Sequence, residues 1–244
     1  TDVIMGFVAY PVVALCLITF IYAYFFLQES NQRKNISAEK SLFKQFSNLN
    51  NLFQKPVTGT LMVIFGLATL SMSMMEATLV LLMKEKFNWG VLEASFGFAY
   101  IGVIIVFTQG FLVRKLIPKL GEKYVIRMGI SFMALGFLLI AIANTVSIMG
   151  LAMTFLSLGN AFSNPSLLGS ISLSTPSDEQ GFAMGTTQSL SALGRVIGPA
   201  IGAFLFGRVS MTSPFWVASL LLGFCLIIIF KYYSPLPASN VKTS

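Results

Sequence analysis

Histidine is absent from this 244-residue chain, which removes imidazole as a general base, a proton shuttle or a metal ligand. Charge is scarce: Asp, Glu, Lys and Arg make up 10% of the residues, where soluble domains carry about 25%. Acid is scarcer than base, nine residues against sixteen, for a net charge of +7. Cysteine is limited to Cys16 and Cys225, both inside apolar runs, where they read as packing residues rather than a disulfide or a metal site. No phosphate loop, metal cluster or Ser/His or Cys/His pair is present, so no enzyme chemistry, metal or cofactor is expected. No signal peptide is visible either. The first residue is Thr1 and the first apolar run begins almost at once, which fits the back part of something longer.

What the chain has is apolar surface: 55% of residues are hydrophobic, with a mean hydropathy of +0.80. A helix needs about 20 such residues to cross a bilayer. Seven runs qualify, at roughly 3–27, 57–83, 94–117, 124–143, 146–170, 182–207 and 212–231. An all-α polytopic membrane protein follows, with the lipid bilayer as its solvent. The positive charge raises the question of nucleic acid, but most basic residues sit in two loops beside apolar spans, so no nucleic-acid partner is expected. Lys and Arg bias sets the orientation: twelve fall on one side and three (Lys84, Lys86, Arg208) on the other, with Arg195 left inside a span. The chain is expected to start outside and end in the cytoplasm. In the long polar loop 28–56, Leu42, Phe46, Leu49 and Phe53 recur at helical spacing between Lys44, Gln45, Asn48 and Asn51. That spacing predicts an amphipathic helix on the inner membrane face, with a flexible linker as the plainer alternative.

Two ionisable residues lie well inside spans, Glu76 and Arg195. A charge at the bilayer centre costs about 2.5–3.5 kcal/mol on insertion scales, so a solvated cavity or a partner must offset it. One reading makes Glu76 a carboxylate whose pKa desolvation raises, so that it takes and releases a proton near neutral pH; the other has it snorkel to the outer surface. Arg195 cannot deprotonate, and serves either as a contact for substrate or a carboxylate, or as a structural charge. Met184, Gln188, Ser191, Arg195, Gly198 and Gly202 share one narrow helical stripe, suited to a helix that lines a cavity and slides against a neighbour. Ser157, Asn160 and Asn164 share another, followed by Pro165, which should kink its helix. The two Asn residues, Gln109 and Gln188 suit either substrate contacts or hydrogen bonds between helices. Methionines of the second span read as apolar filler. Gly198-x-x-x-Gly202 is a small-residue packing motif of low specificity, one part of a span glycine content that also includes Gly97, Gly102, Gly110, Gly129, Gly136, Gly159, Gly169 and Gly194.

Taken together these motifs resemble the C-terminal half of a major facilitator superfamily transporter, nearest the bacterial drug:proton antiporter branch. Phe25-Phe26-Leu27-Gln28-Glu29-Ser30 is similar to the Leu-Pro-Glu-Ser ending of that family's sixth helix, with Gln28 in place of proline. Residues Gly110 to Gly121 look like the weaker second copy of the family's loop motif, but Arg114 stands where an acid is expected and Pro118 lies in a stretched spacing. A latch built on that acid is therefore not expected here. The strongest likeness is Asn164-Pro165, Ser174, Pro176, Gln180-Gly181, Gly185, Gln188-Ser189 and Leu193-Gly194-Arg195, then Gly198-Pro199 and Gly202, similar to helices ten and eleven.

The resemblance implies that 1–27 is the last transmembrane helix of an N-terminal half, 28–56 the cytoplasmic central loop, 57–231 the C-terminal six-helix domain and 232–244 a cytoplasmic tail. It implies alternating access between two halves, with protons and a small-molecule substrate as partners besides the missing N-terminal half. Gln188, Arg195, Gly198, Pro199 and Gly202 are then expected on the helix next to that half, and Gly194 and Pro165 at helix interfaces. Glu76 is the proton-coupling candidate, though no family motif covers it. Efflux of the multidrug or tetracycline type is expected, with an importer or uniporter of another solute as the alternative. A seven-span receptor is the distant alternative; the last span offers only Lys231, at its inner end, for a retinal Schiff base, and no Asn-Pro-x-x-Tyr is present.

Overall fold

The computed structural model describes residues 2–26 and 55–232. The amphipathic pattern of 42–53 and the tail beyond Tyr232 lie outside them. The described chain divides into two units, 1–45 and 46–244. In the first, α1 runs Asp2–Phe26, and its segment Val13–Phe26 is apolar, with Phe20, Tyr22 and Phe26 exposed. Cys16 is exposed there as a free thiol.

The second unit contains the helices α2 (Pro56–Phe87), α3 (Val91–Phe107), α4 (Arg114–Leu120), α5 (Glu122–Ile142), α6 (Val146–Leu173), α7 (Gln180–Arg208) and α8 (Ser213–Tyr232). A π-helical stretch, Thr108–Val113, joins α3 to α4 without a break, so Val91–Leu120 forms one continuous span. Six of these spans are long and apolar enough to cross a membrane. The spans follow the apolar runs because continuous helix satisfies every backbone donor and acceptor where water is missing.

The ends are set by local chemistry. Pro56 opens α2 at the position where its missing N–H costs nothing. Asn88 closes it in the left-handed region, donating its N–H to the Lys84 carbonyl at 3.0 Å. Glu93 accepts the Gly90 N–H at 2.8 Å before α3, and Thr145 caps α6 by accepting from the Ile148 N–H. Gly121, at φ +80°, turns the chain between α4 and α5. The basic stretch Arg114–Leu120, which the sequence suggested as loop, is helical, and Arg127 sits inside α5 rather than in a connection.

Packing is tightest between α5 and α6 and between α2 and α7, with α8 filling the groove beside α2 and α5. Between α5 and α6, Gly129, Gly136 and Gly159 allow backbone to touch backbone: a Cβ on Gly136 would lie 2.7 Å from the Leu156 nitrogen. Leu61, Ile64, Ile130, Phe137, Leu156 and Phe215 fill the core between these pairs. Met62, Met74, Met75 and Met83 join it as apolar filler, and Cys225 is buried in α8. The helices α3 and α7 are the least covered, presenting Phe96, Val103 and Val106, and Leu193, Val196 and Phe204.

Candidate functional site

A cleft of about 100 Å³ opens between α2, α6 and α7, with Met133 of α5 also lining it. From α2 come Thr69, Ser73 and Glu76, spaced so that one helix face presents all three. From α6 come Asn160, Ser163 and Asn164, and from α7 Arg195. Phe65, Ala68, Met72 and Leu167 supply an apolar lining beside them. Four polar residues that the sequence pattern put on three separate spans, Glu76, Asn160, Asn164 and Arg195, therefore share one cavity.

Their depth is set by the helices that carry them. Arg195 lies near the middle of the 29-residue α7. Glu76 lies about 30 Å along α2 from Pro56 and about 16 Å short of Phe87, at 1.5 Å per residue. Asn160 is half-buried, whereas Glu76, Asn164 and Arg195 are exposed to the cleft or its mouth. Among the described residues none of the four has a hydrogen-bond or ion-pair partner, so Glu76 and Arg195 face one cavity without pairing. Two of the three hydroxyls around them are committed. Thr69 donates to the Phe65 carbonyl at 2.9 Å, and Ser163 to the Gly159 carbonyl at 2.7 Å. Such back-bonding is how a hydroxyl satisfies its donor inside a span. Ser157 does the same to the Met153 carbonyl and is buried away from the cleft. The cleft thus holds one acid, one guanidinium, two amides and the Ser73 hydroxyl with unspent bonding capacity, beside a smaller set of apolar side chains.

The α7 stripe divides along its length. Ser191, Gly194, Gly198 and Gly202 are buried against α2: a Cβ on Gly198 would meet the Ser73 Cβ at 2.7 Å and the Leu70 carbonyl oxygen at 3.0 Å. The glycine seam is internal to the six-helix unit. Arg195 and Gln188 occupy the open margin of the same stripe, and Gln188 does not reach the cleft. Gln109 and Gly110 lie exposed in the π-helical stretch, and Arg114 is exposed where α4 starts. Pro165 and Pro199 lie inside α6 and α7, both of which run on through them as helix. Pro165 withholds an N–H from the Ala161 carbonyl one turn earlier, next to Asn164.

Ser163 and Met133 were not legible as lining residues. Ser163 adjoins Asn164 on the same helix and so had a signal; Met133 had none, since its access depends on how α5 crosses behind α6. The end of the bundle holding the α6–α7 turn is cross-tied. Lys55 pairs with Glu179, Thr58 donates to the Ser174 carbonyl, Gln180 to the Ser172 carbonyl, and Ser170 to Glu122 at 2.6 Å. Among the described residues no cluster of metal-ligating side chains occurs.

The sequence matches the pattern of the Major Facilitator Superfamily over residues 4–153 and again over 111–244. It is 27% identical over 221 residues to the tetracycline resistance protein, class H, of Pasteurella multocida, covering 88% of this chain and 54% of that protein. It is 26% identical to multidrug resistance protein 2 of Bacillus subtilis (strain 168), covering 88% of this chain and 53% of that one. The chain thus spans about half the length of these curated relatives. The crystal structure of the human organic anion transporter MFSD10 (TETRAN) superposes on 70% of this chain and 40% of that one, with a TM-score of 0.66 and 26% identity.

Proposed function

The chain belongs to the Major Facilitator Superfamily, and on that premise we propose that it supplies one six-helix half, and the preceding helix α1, of a proton-coupled exporter of small molecules. The observation that carries this is the cleft in which Glu76, Arg195, Asn160 and Asn164 meet at membrane depth without satisfying one another. Groups that costly persist where water or a solute replaces the missing partners. A second half, as the length of the relatives suggests, would close over the cleft and over the sparsely covered α3 and α7. Rocking of the two halves would then expose the cleft to either side in turn. The protein would reside in the bacterial inner membrane, with the basic ends of the spans in the cytoplasm.

In this reading Glu76 holds either a proton or the positive or donor group of the solute. Deprotonated, it balances Arg195 and leaves the cleft neutral; protonated, it leaves the cleft with a net positive charge that favours release of a cationic group. Proton entry and solute exit are thereby coupled through one carboxylate. Asn160 and Asn164 orient the solute by hydrogen bonds, and the apolar wall takes its hydrocarbon surface. The substrates printed for relatives, tetracycline among them, supply the first test compounds. In inverted vesicles an acid interior should drive accumulation of the compound; a requirement for the opposite gradient would make the protein an importer. Glu76→Gln should cut gradient-driven transport by at least about tenfold, the scale of one lost charge-assisted contact. Because Glu76 is exposed and unpaired, the thermal midpoint should stay put. Unchanged coupling to pH would remove Glu76 from the mechanism.

A further inference from the structure

Away from the cleft, at the end of the bundle where α5 begins and α8 finishes, Arg127 has an unusual setting. Its guanidinium carbon lies 4.2 Å from the ring centroid of Phe230 on α8 and 6.0 Å from that of Tyr124 on its own helix. Its Nε is buried and has no hydrogen-bond partner, and among the described residues no carboxylate pairs with it. Phe230 and Tyr124 are themselves exposed, so the guanidinium lies against the Phe230 ring, with the Tyr124 ring nearby, on the outer surface of the unit. Neither ring offers the guanidinium N–H groups a charged acceptor; the contact is a cation–π one. The terminal nitrogens are left as a planar fork, the geometry that grips a phosphate or carboxylate with two parallel bonds.

The surroundings favour an anion. Arg127 lies in the second turn of α5, and no carboxylate among the described residues balances its charge. Lys123 is one turn earlier on the same helix, and Lys231 follows Phe230 on α8, both engaged in interactions of their own. The acid at this helix start, Glu122, accepts from Ser170 of α6. Along α8 the exposed residues below Phe230 are Phe224 and Ile227, which are compatible with acyl chains. A guanidinium set against an exposed ring, one turn inside a span and bordered by apolar surface, matches the level of a lipid headgroup.

We infer that Arg127, with Phe230 and Tyr124 as its walls, forms a binding site for the phosphate of an anionic phospholipid in the groove between α5 and α8. The headgroup phosphate accepts two hydrogen bonds from the guanidinium, Lys123 and Lys231 add charge around it, and the acyl chains lie along α8. The occupant is a lipid rather than free phosphate because the walls continue as apolar surface. Its role is to brace the α5–α8 groove, independent of the polar cleft.

The test uses the full-length chain, purified in detergent and titrated with phosphatidylglycerol, phosphatidylcholine or inorganic phosphate. Bound lipid is counted by native mass spectrometry and the thermal midpoint is read in parallel. The expected result is one preferentially retained phosphatidylglycerol and a raised midpoint, with no response to inorganic phosphate and little to phosphatidylcholine. Arg127→Gln should weaken that retention by about tenfold or more, as expected for one charge-assisted pair. Arg127→Lys, which keeps charge and loses the fork, should fall between; it decides the matter should the glutamine variant fail to fold. Arg114→Gln, removing an exposed cation from the start of α4, should retain lipid as the parent does. Equal retention by parent and Arg127→Lys and Arg127→Gln, equal loss in Arg114→Gln, or an equal response to inorganic phosphate would each overturn the site.

Discussion

Two helix pairs in this protein are built on glycine, and they differ in what lies beside the seam. Between α5 and α6, Gly129 and Gly159 face each other, so that a Cβ on Gly159 would lie 2.7 Å from the Gly129 carbonyl oxygen, and Gly136 meets Leu156 backbone one turn on either side of Met133. Both helices bury most of their contact face, and that seam is sealed. Between α2 and α7, Gly194, Gly198 and Gly202 make approaches almost as close, yet Glu76 and Arg195 sit at the margin of the same contact and open onto a cavity. Close packing between membrane helices rests on van der Waals contact rather than on a hydrophobic gradient. The α5–α6 seam uses that contact to fix the unit, while the α2–α7 seam uses it to hold charged groups near a cleft without filling the cleft.

The sharpest way to break the comparison is a methyl group in the sealed seam. Gly159→Ala sets a Cβ against Met133 and Gly129 backbone, and neither can move without shifting a helix. Overpacking of this kind typically costs about 1–3 kcal/mol and more where backbone must give. The expected outcome is a large fall in thermal midpoint, or loss of the monodisperse peak in size-exclusion chromatography, with transport lost alongside folding. A variant that melts like the parent would show that the two helices are not in backbone contact.

Much of this was readable before any coordinates. The spans were legible because in lipid a helix is forced by the apolar run itself, and the six helices end within a few residues of the runs. Glu76 and Arg195 were legible because charge at that depth has a cost. Their shared cavity was not, since it depends on the rotation of α2 about α7, which the glycines permit and the periodicity alone does not fix. Gly129, Gly136 and Gly159 stood among many span glycines, and nothing in the sequence paired them across a seam. The π-helical stretch at Gly110 had no local signal. Arg127 looked like one more basic loop residue; its place against the Phe230 ring emerges only from the pairing of α5 with α8.

A smaller effect is expected on the other side of the comparison. Gly198→Ala presses a Cβ against Ser73 and the Leu70 carbonyl, yet the seam is flanked by a cleft into which α7 can shift. The stability loss should therefore be smaller than for Gly159→Ala, about 1 kcal/mol on the same scale. Transport should suffer more than stability does, because any shift of α7 displaces Arg195 relative to Asn160. Melting and gradient-driven uptake measured on one preparation separate the two. A stability loss as large as that of Gly159→Ala, with transport falling only in step, would make the two seams equivalent.

The smallest effect belongs to a glycine that packs against nothing in the unit. Gly102 lies in α3, exposed, and a Cβ there would have no atom within 4 Å. Alanine forms helix more readily than glycine by about 1 kcal/mol, so Gly102→Ala should leave the melting point unchanged or raise it slightly. If the α3 face meets a second half in the working protein, the same methyl group lies at that interface. It should then slow transport without destabilising the six-helix unit. Leucine at the same position separates the cases further. A lipid-facing site accepts it with transport intact, because a longer apolar side chain there is at no disadvantage among acyl chains. An interface site rejects it, because two helix backbones that meet over a glycine cannot both stay where they are. Gly102 therefore contrasts with both seams in this unit: its glycine is free of contact here, and its tolerance for bulk reports on whether another surface normally covers it.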